Sequence, residues 1–187
     1  MKVTILILTL AAVLHTGMAQ VTTPPPVDKS PMDMSYCPDQ YPLLKFQGKI
    51  STPPNARVIY GRPQKDGRTL FGDVIRFNEI WRFGANEATE IEFYKDVKID
   101  GKKLAKGRYT LYCIPTQSNW TIILSKDLDS WGAFKYDIKK DALRVKVNTV
   151  TNAVPVEALS MYFTKTNTGN TLTVSWDSVS ATLPITF

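Results

Sequence analysis

The segment WRFGANEATE, from Trp81 to Glu90, places an arginine, an asparagine and a glutamate around a Gly-Ala pair. Arginines next to aromatic side chains recognise carboxylates, phosphates or sugar rings without any proton transfer. A glutamate in the same segment is a candidate general base or nucleophile. Residue types alone therefore leave three interpretations of this segment: a binding site, a catalytic site, or a polar network that holds a turn.

Glu87 decides between these interpretations. In the architectural one, Glu87 pairs with Arg82 or Arg68, and Asn86 satisfies backbone groups of the turn. In the catalytic one, Glu87 acts as base or nucleophile, although an adjacent arginine makes a carboxylate a poorer base. A glycosidase-type mechanism also needs a second carboxylate. No motif selects one among Glu90, Asp127, Asp129, Asp137 and Asp141.

The binding interpretation requires charge and an aromatic platform. Trp131 lies beside Gly132 in the polar segment SKDLDSWGAFKYD, where it is either a cap on the core or a ligand contact. Asp127 and Asp129 in this segment lack the glycine and distal glutamate of an EF-hand loop, so no metal site and no cofactor are predicted. The predicted ligand-binding residues are Arg62, Arg68, Arg82, Asn86, Glu87, Trp131, Tyr136 and Arg144.

The N-terminus has the features of a signal peptide. Lys2 precedes the apolar run VTILILTLAAVL, and Gly17-Met18-Ala19 offers small residues at the spacing that signal peptidase requires. The run has 12 residues, whereas a bilayer-spanning helix needs about 20. Residues 1–19 are predicted to be cleaved after Ala19, which leaves an exported periplasmic or secreted protein that does not span the membrane.

Cleavage would remove His15, the only histidine of the chain. A Ser-His-Asp or Cys-His arrangement and any histidine-liganded metal would then be impossible. Cleavage also removes Lys2, so the mature charge is 22 − 17 = +5. The Lys and Arg residues are interleaved with acids and form no dense basic run, so no nucleic-acid partner is predicted.

Cys37 and Cys113 are the two cysteines of the chain. Export would place them in an oxidising compartment, where a disulfide between them can persist. Alternatively, Cys113 is a buried small apolar residue of the strand-like YTLYCIP, and Cys37 is free or pairs between chains. The sequence leaves both alternatives open.

The remaining chain is predicted to form one all-β domain. Its composition, 43% hydrophobic and 21% charged over 187 residues, is that of a globular protein. Residues 20–42 are proline-rich and predicted to be a flexible linker, and residues 43–187 form the domain. Period-two alternation is clear at Val179, Ala181, Leu183 and Ile185, and Asp100-Gly101 fits a type I′ hairpin turn.

About nine or ten such strands are too many for one open sheet, so the predicted fold is an antiparallel two-sheet β-sandwich. The predicted core residues are Trp81, Phe93, Trp120, Phe163 and Trp176.

Four stretches of the chain resemble a known family: GRPQKDGRTLFG, WRFGANEAT, DGKKLAKGRYTLYCIP and the strand that begins at Trp120. They are similar to the signature blocks of DUF2911, a family of exported bacterial proteins of unknown function. The resemblance covers roughly residues 54–187 and implies no activity, ligand or catalytic residue. The chain departs from the pattern at Phe77-Asn78, where a Tyr-Gly pair is expected, and at Phe83, where threonine is expected.

Two functions remain. The favoured one is a non-catalytic binding or accessory module of the bacterial cell envelope that recognises an anionic, carbohydrate or peptide ligand. Its partner would be a small molecule, a glycan or an envelope protein. The alternative is a carboxylate-dependent hydrolase of envelope or nutrient glycans or esters, with Glu87 as the catalytic residue.

Overall fold

The computed structural model describes residues 23–187, so the predicted signal peptide lies outside the described residues. The described chain is all-β and antiparallel, as predicted. Its nine strands are β1 Met32–Cys37, β2 Ala56–Gly61, β3 Glu90–Phe93, β4 Val97–Ile99, β5 Lys102–Leu104, β6 Gly107–Pro115, β7 Asn119–Ser125, β8 Asp141–Thr166 and β9 Gly169–Ile185. One short helix, α1 Tyr41–Phe46, follows β1, and a 3-10 turn, Ile138–Lys140, precedes β8.

Seven strands form one sheet in the order β1-β2-β3-β6-β7-β8-β9, and β4 pairs with β5 in a separate hairpin. The turn of this hairpin is Asp100-Gly101, with φ angles of 51° and 71°. Positive φ at both central residues is what a type I′ turn requires, and it matches the twist of the strands. The predicted hairpin is confirmed.

The two layers of the predicted sandwich come from one sheet that curls over itself. The first part of β8 pairs with β7, and the register of β8 on β9 shifts between Thr151 and Val156 and again before Ser160. Beyond these irregularities β8 lies against β1 and β2. There the Ser35 hydroxyl donates to the Met161 carbonyl at 2.6 Å, and the Met161 N–H donates to the Tyr60 hydroxyl at 3.1 Å.

The structure differs from the predicted linker in its second half. Residues 32–37 form β1, which pairs in register with the whole of β2. Unpaired, β2 would leave a row of backbone N–H and C=O groups at the sheet edge, and β1 satisfies them. Cys37 at the end of β1 is fully buried. The β-structure therefore begins at Met32, before the predicted domain boundary at residue 43.

The core lies between the two layers and is aromatic at its centre. The indole of Trp81 stacks on Trp176 and meets Trp120 edge-on, with ring centroids 6.2 and 6.1 Å apart. Such contacts add to the free energy gained from burying the rings. All five predicted core residues are buried: Trp81, Phe93, Trp120, Phe163 and Trp176.

A smaller apolar cluster lies on the opposite face of the sheet. Tyr112 of β6 and Ile123 of β7 point away from the main core, as alternation along a strand requires, and pack with Ala88. Ala133 and Tyr136 cover them. This cluster fixes the loop of residues 126–137, which forms one wall of the candidate site.

Candidate functional site

The inward-facing part of WRFGANEATE is built around a close crossing of two backbone segments. An added Cβ at Gly61 would lie 2.2 Å from the Ala85 carbonyl oxygen, and one at Gly84 would lie 3.1 Å from the Gly61 carbonyl oxygen. Real Cβ atoms essentially never come within 3.0 Å of another atom, so glycine is required at position 61, and the fit at Gly84 is tight. The Gly-Ala pair of the motif therefore has a structural role.

Side-chain hydrogen bonds complete this corner. The Trp81 indole N–H donates to the Gly84 carbonyl at 3.2 Å, and the buried Thr89 hydroxyl donates to the Phe83 carbonyl at 2.9 Å. Trp81 also exchanges two backbone hydrogen bonds with Cys113 of β6, at 2.8 and 2.9 Å. The inner part of the segment is thus satisfied within the protein.

Little of the segment forms regular strand. Trp81 forms a single bridge, Phe83 has a left-handed φ of 59°, and β3 begins only at Glu90. Trp81 and Phe83 nevertheless point inward and Arg82 points outward, which is the alternation of an extended chain.

Arg82 lies in a surface groove of about 400 Å³. One wall comes from the segment before Trp81 and the other from the loop that covers Tyr112. The groove is lined by Val74, Ile75, Arg76, Glu79, Ile80, Trp81, Arg82, Ala133 and Phe134.

Arg82 has no acidic partner among the described residues. Three arginines have a buried Nε without a hydrogen bond: Arg57, Arg62 and Arg82. The first two are neutralised by Glu92 and Asp33, at 2.9 and 2.8 Å. No salt bridge or side-chain hydrogen bond of Arg82 occurs within residues 23–187, and burial lowers the pKa of its guanidinium. A cation is thus partly desolvated without internal compensation.

The other charges of the groove balance each other. Arg76 and Glu79 form an ion pair of 3.6 Å at the rim, and both side chains are mostly exposed. Such a pair contributes little to stability, because water screens it. The groove therefore carries one positive charge in excess, that of Arg82.

Phe134 lines the groove from the loop of residues 126–137 and is 83% exposed. An added Cβ at Gly132 would lie 2.6 Å from its ring, so the ring rests directly against the glycine. Phe134 also borders a second cleft of about 490 Å³, together with Trp131 and Lys140. Trp131 is 64% exposed, which makes it a surface side chain and not a cap on the core.

Glu87 lies near Trp131 and away from the predicted ion pairs. Its backbone forms a bridge with Trp131, and its side chain is exposed. It makes no salt bridge with Arg82 or Arg68 among the described residues, so the predicted pairing is wrong. The turn does not bring Glu87 to these arginines because Asn86 adopts a left-handed φ of 60°, and the Asn86 carbonyl accepts the Gly132 N–H at 3.0 Å.

The amide of Asn86 also differs from its predicted role in the turn. Its Nδ2 donates to Asp28 at 3.0 Å, so it contacts the segment that precedes β1.

Arg144 and Tyr136 form a self-contained cluster with Asp141. Arg144 Nε donates to Asp141 at 2.6 Å, and the same carboxylate accepts the Tyr136 hydroxyl at 2.7 Å. Arg144 also donates to the Tyr136 oxygen. Burial and the adjacent carboxylate raise the pKa of Tyr136 to about 12. These groups are therefore paired with one another, unlike Arg82.

Arg62 and Arg68 lie apart from the groove. Arg62, just after β2, donates to Asp33 and to Ser160, which connects β1 and β8. The Arg68 guanidinium caps the carbonyls of Gln64 and Lys65 in its own loop. Both side chains hold local structure.

The two cysteines are buried free thiols, so of the two alternatives that the sequence left open the structure does not contain the disulfide. Cys37 lies in the row of Ala56, Phe93 and Gly107, whereas Cys113 is six residues further along β6. That is about 20 Å along a strand, well beyond the 7 Å Cα separation that a disulfide spans. Burial raises the pKa of Cys37 to about 11 and also raises that of Cys113.

Residues 44–185 match the model of a family described as "Protein of unknown function (DUF2911)". The chain belongs to the DUF2911 family. No curated protein and no solved structure matches it. Within residues 23–187 of this DUF2911 protein, no helix is long and apolar enough to cross a membrane. The matched range begins after β1, although β1 completes the sheet.

The motif blocks of the DUF2911 family meet at the aromatic centre of the core. Phe71 of the first block lies 5.3 Å from Trp120 and 6.3 Å from Trp81 by ring centroid. Phe83, at a departure from the family pattern, is fully buried between these two tryptophans. Its side chain faces the core, so neither phenylalanine nor threonine there would reach the groove.

The eight predicted ligand-binding residues do not form one site. Arg82 lies in the groove, while Asn86, Glu87 and Trp131 meet at the other side of the covering loop. Tyr136 and Arg144 bind each other, and Arg62 and Arg68 lie elsewhere. The groove residues that sequence analysis missed are Phe134, Arg76 and Glu79. Phe134 follows Trp131 by three residues in the same loop, but a sequence does not report exposure.

Proposed function

We propose that this DUF2911 domain is a non-catalytic binding module of the bacterial cell envelope and that it recognises a small anionic ligand in the groove of Arg82. One observation carries the proposal. Arg82 is a partly buried guanidinium without a counter-charge among the described residues, and it lines a groove of ligand size. Binding of an anion would supply the missing partner and offset the desolvation of the cation.

The hydrolase alternative receives less support from the carboxylates. Glu87 lines a smaller pocket with Glu90 and Asp129. The latter two are already engaged by Arg108, whose Nε donates to Glu90 at 3.1 Å and whose Nη2 donates to Asp129 at 2.7 Å. Glycosidase-type chemistry needs one carboxyl free to act as acid and another as nucleophile or base. Only the exposed Glu87 is without an arginine here.

Export of the mature chain from the cytoplasm remains part of this proposal. It rests on the predicted signal peptide at residues 1–19 and would place the groove in the periplasm or the medium. N-terminal sequencing of the protein from a bacterial host, after fractionation, tests it. The expected N-terminus is Gln20 in the periplasmic or secreted fraction, and an intact Met1 in the cytosol would contradict it.

Ligand-detected NMR and calorimetry on the mature chain test the binding function. Acetate, inorganic phosphate and aliphatic and aromatic monocarboxylates are titrated, each beside a neutral amide or ester analogue. At least one anion is expected to bind saturably, and its neutral analogue is not. Arg82→Met, which keeps the apolar stem of the side chain, is expected to abolish binding. Arg82→Lys keeps the charge without the planar fork and is expected to weaken binding about tenfold.

Lys126→Met serves as a control. Lys126 is an exposed cation outside the groove, and its substitution removes the same net charge as Arg82→Met. It is expected to bind like the wild type. The proposal fails if no anion binds saturably, or if Arg82→Met and Lys126→Met bind the same anion equally well.

A further inference from the structure

The walls of the groove restrict the chemistry of the ligand. Six of its nine lining residues are apolar: Val74, Ile75, Ile80, Trp81, Ala133 and Phe134. The charged ones are Arg82 and the mutually paired Arg76 and Glu79. A sugar or a polyol needs hydrogen-bond partners along its whole body, and these walls offer few. An apolar ligand body gives up no hydrogen bonds when it contacts these walls, and its transfer out of water is favourable.

The orientation of Arg82 restricts the anionic group. Its Nε is fully buried, so only the two Nη atoms remain to meet a ligand. Two parallel N–H groups match the two oxygens of one carboxylate. Glu79 stands at the rim of the same groove and is paired with Arg76, so the groove offers no second free cation for additional negative charge. One cation in excess, with an acid nearby, favours a monoanion over a dianion such as phosphate.

The volume of the groove restricts the size. About 400 Å³ lies at the low end of small-molecule sites and accommodates one ring or one branched chain next to the carboxylate. Phe134 lines the same groove as Arg82 with most of its ring exposed, and the ring rests on Gly132. A ligand ring can therefore pack against Phe134 while its carboxylate meets Arg82.

We infer that the groove binds a small free monocarboxylate with a compact apolar body, such as an arylalkanoate, with the carboxylate on Arg82 and the body between Phe134 and the wall of Val74 and Ile80. This inference rests on the proposed function, because it names the ligand class of the same groove. It excludes sugar acids, inorganic phosphate and peptide C-termini as the preferred occupants.

Calorimetric titration of the mature chain with five probes tests the inference. The probes are 3-phenylpropionate, its amide, glucuronate, inorganic phosphate and the dipeptide N-acetyl-glycyl-phenylalanine. 3-Phenylpropionate is expected to bind at least tenfold more tightly than each of the other four. Arg82→Met is expected to remove this binding.

Two phenylalanine variants provide a matched pair. Phe134→Ala is expected to weaken 3-phenylpropionate binding at least fivefold while the unfolding midpoint stays near that of the wild type, because the ring is exposed. Phe46→Ala removes a ring that is 89% exposed at the end of α1, outside the groove, and is expected to leave binding unchanged. Equal effects of the two variants would overturn the inference.

The remaining outcomes separate the inference from the proposed function. If glucuronate or phosphate binds as tightly as 3-phenylpropionate and depends on Arg82, the inference fails and the anion-binding function stands. If the dipeptide binds tenfold more tightly than the free acid, the occupant is a peptide terminus and the inference fails. If no anion binds saturably, both the inference and the proposed function fail.

Discussion

The two sides of the segment from Trp81 to Thr89 differ in how fully the protein satisfies them. On the inner side, Trp81 and Thr89 donate hydrogen bonds to neighbouring carbonyls, and Gly61 passes so close to the Ala85 carbonyl that no side chain fits there. On the outer side, Arg82 has a buried Nε and no counter-charge among the described residues. One short segment thus contains both a structural corner and an arginine without an acidic partner among the described residues.

A comparison of Arg82 with Arg144 shows which charged groups of the fold remain available for a ligand. Arg144 and Arg82 are the same residue type and lie near the same loop. Arg144 is bound by Asp141 and Tyr136, so a ligand would have to displace them. Arg82 needs no such displacement. The outward side of the segment is therefore where substitutions should change binding, and the inward side is where they should change stability.

The largest expected effect is on the inner side. Gly61→Ala should lower the free energy of unfolding by about 3 kcal/mol or more, because its Cβ would meet the Ala85 carbonyl and the backbone would have to shift. Urea unfolding measures the loss. Gly48→Ala is the control: its φ is 67° with nothing within 4 Å, so it should lose only about 1 kcal/mol from backbone strain. Similar losses in both variants would mean that the crossing is not tightly packed.

The next effect contrasts the two arginines. Arg144→Met should lower the free energy of unfolding by about 1–3 kcal/mol, because it leaves the mostly buried Asp141 carboxylate without its cation. Arg82→Met should lower the free energy of unfolding by less than about 0.5 kcal/mol, or raise it, because Arg82 has no ion-pair partner within residues 23–187. Urea midpoints at constant slope, near pH 7, measure both. A larger loss for Arg82→Met would show that Arg82 has a structural partner after all.

The reactivity of the two buried thiols tests whether the core excludes solvent under native conditions. Because burial raises the pKa of Cys37 to about 11 and raises that of Cys113, both should be protonated and slow to react at pH 8. A thiol reagent should detect no fast-reacting group in the folded protein and two in urea. The folded pKa of Cys37 lies above its usual value of 9.0, so its contribution to stability is present below pH 9 and is lost towards pH 11. Fewer than two thiols in urea without a reductant would indicate a disulfide.

The smallest expected effect is on the outer side. Glu79→Gln should tighten the binding of a monocarboxylate about twofold to fivefold, because it removes the negative charge at the rim and frees Arg76. Calorimetry in low salt measures the gain, and added salt should reduce it. Glu157→Gln, outside the groove, should bind like the wild type. Weaker binding by Glu79→Gln would mean that the ligand uses Glu79 as an acceptor.

Local patterns predicted most strands and the core. Period-two alternation identified the end of β9 at Val179, Ala181, Leu183 and Ile185, and the Asp100-Gly101 turn identified the hairpin of β4 and β5. The same patterns did not show that β8 and β9 continue through bulges as single long strands. Alternation is a local property, whereas the partner that keeps a bulged strand in its sheet is remote in sequence.

The sequence by itself determined the all-β class and the buried aromatic residues, because side-chain alternation and composition are properties of neighbouring residues. The family followed from the resemblance of four stretches of the chain and was confirmed by the match over residues 44–185. Only the tertiary structure decided which of the predicted arginines has an acidic partner among the described residues. It brought Asp141 to Arg144, Asp33 to Arg62 and Phe134 to the groove of Arg82, and it kept Glu87 away from both predicted arginines. The reason is that a charge is neutralised by whichever group lies near it in space, and that distance depends on the curl of the whole sheet.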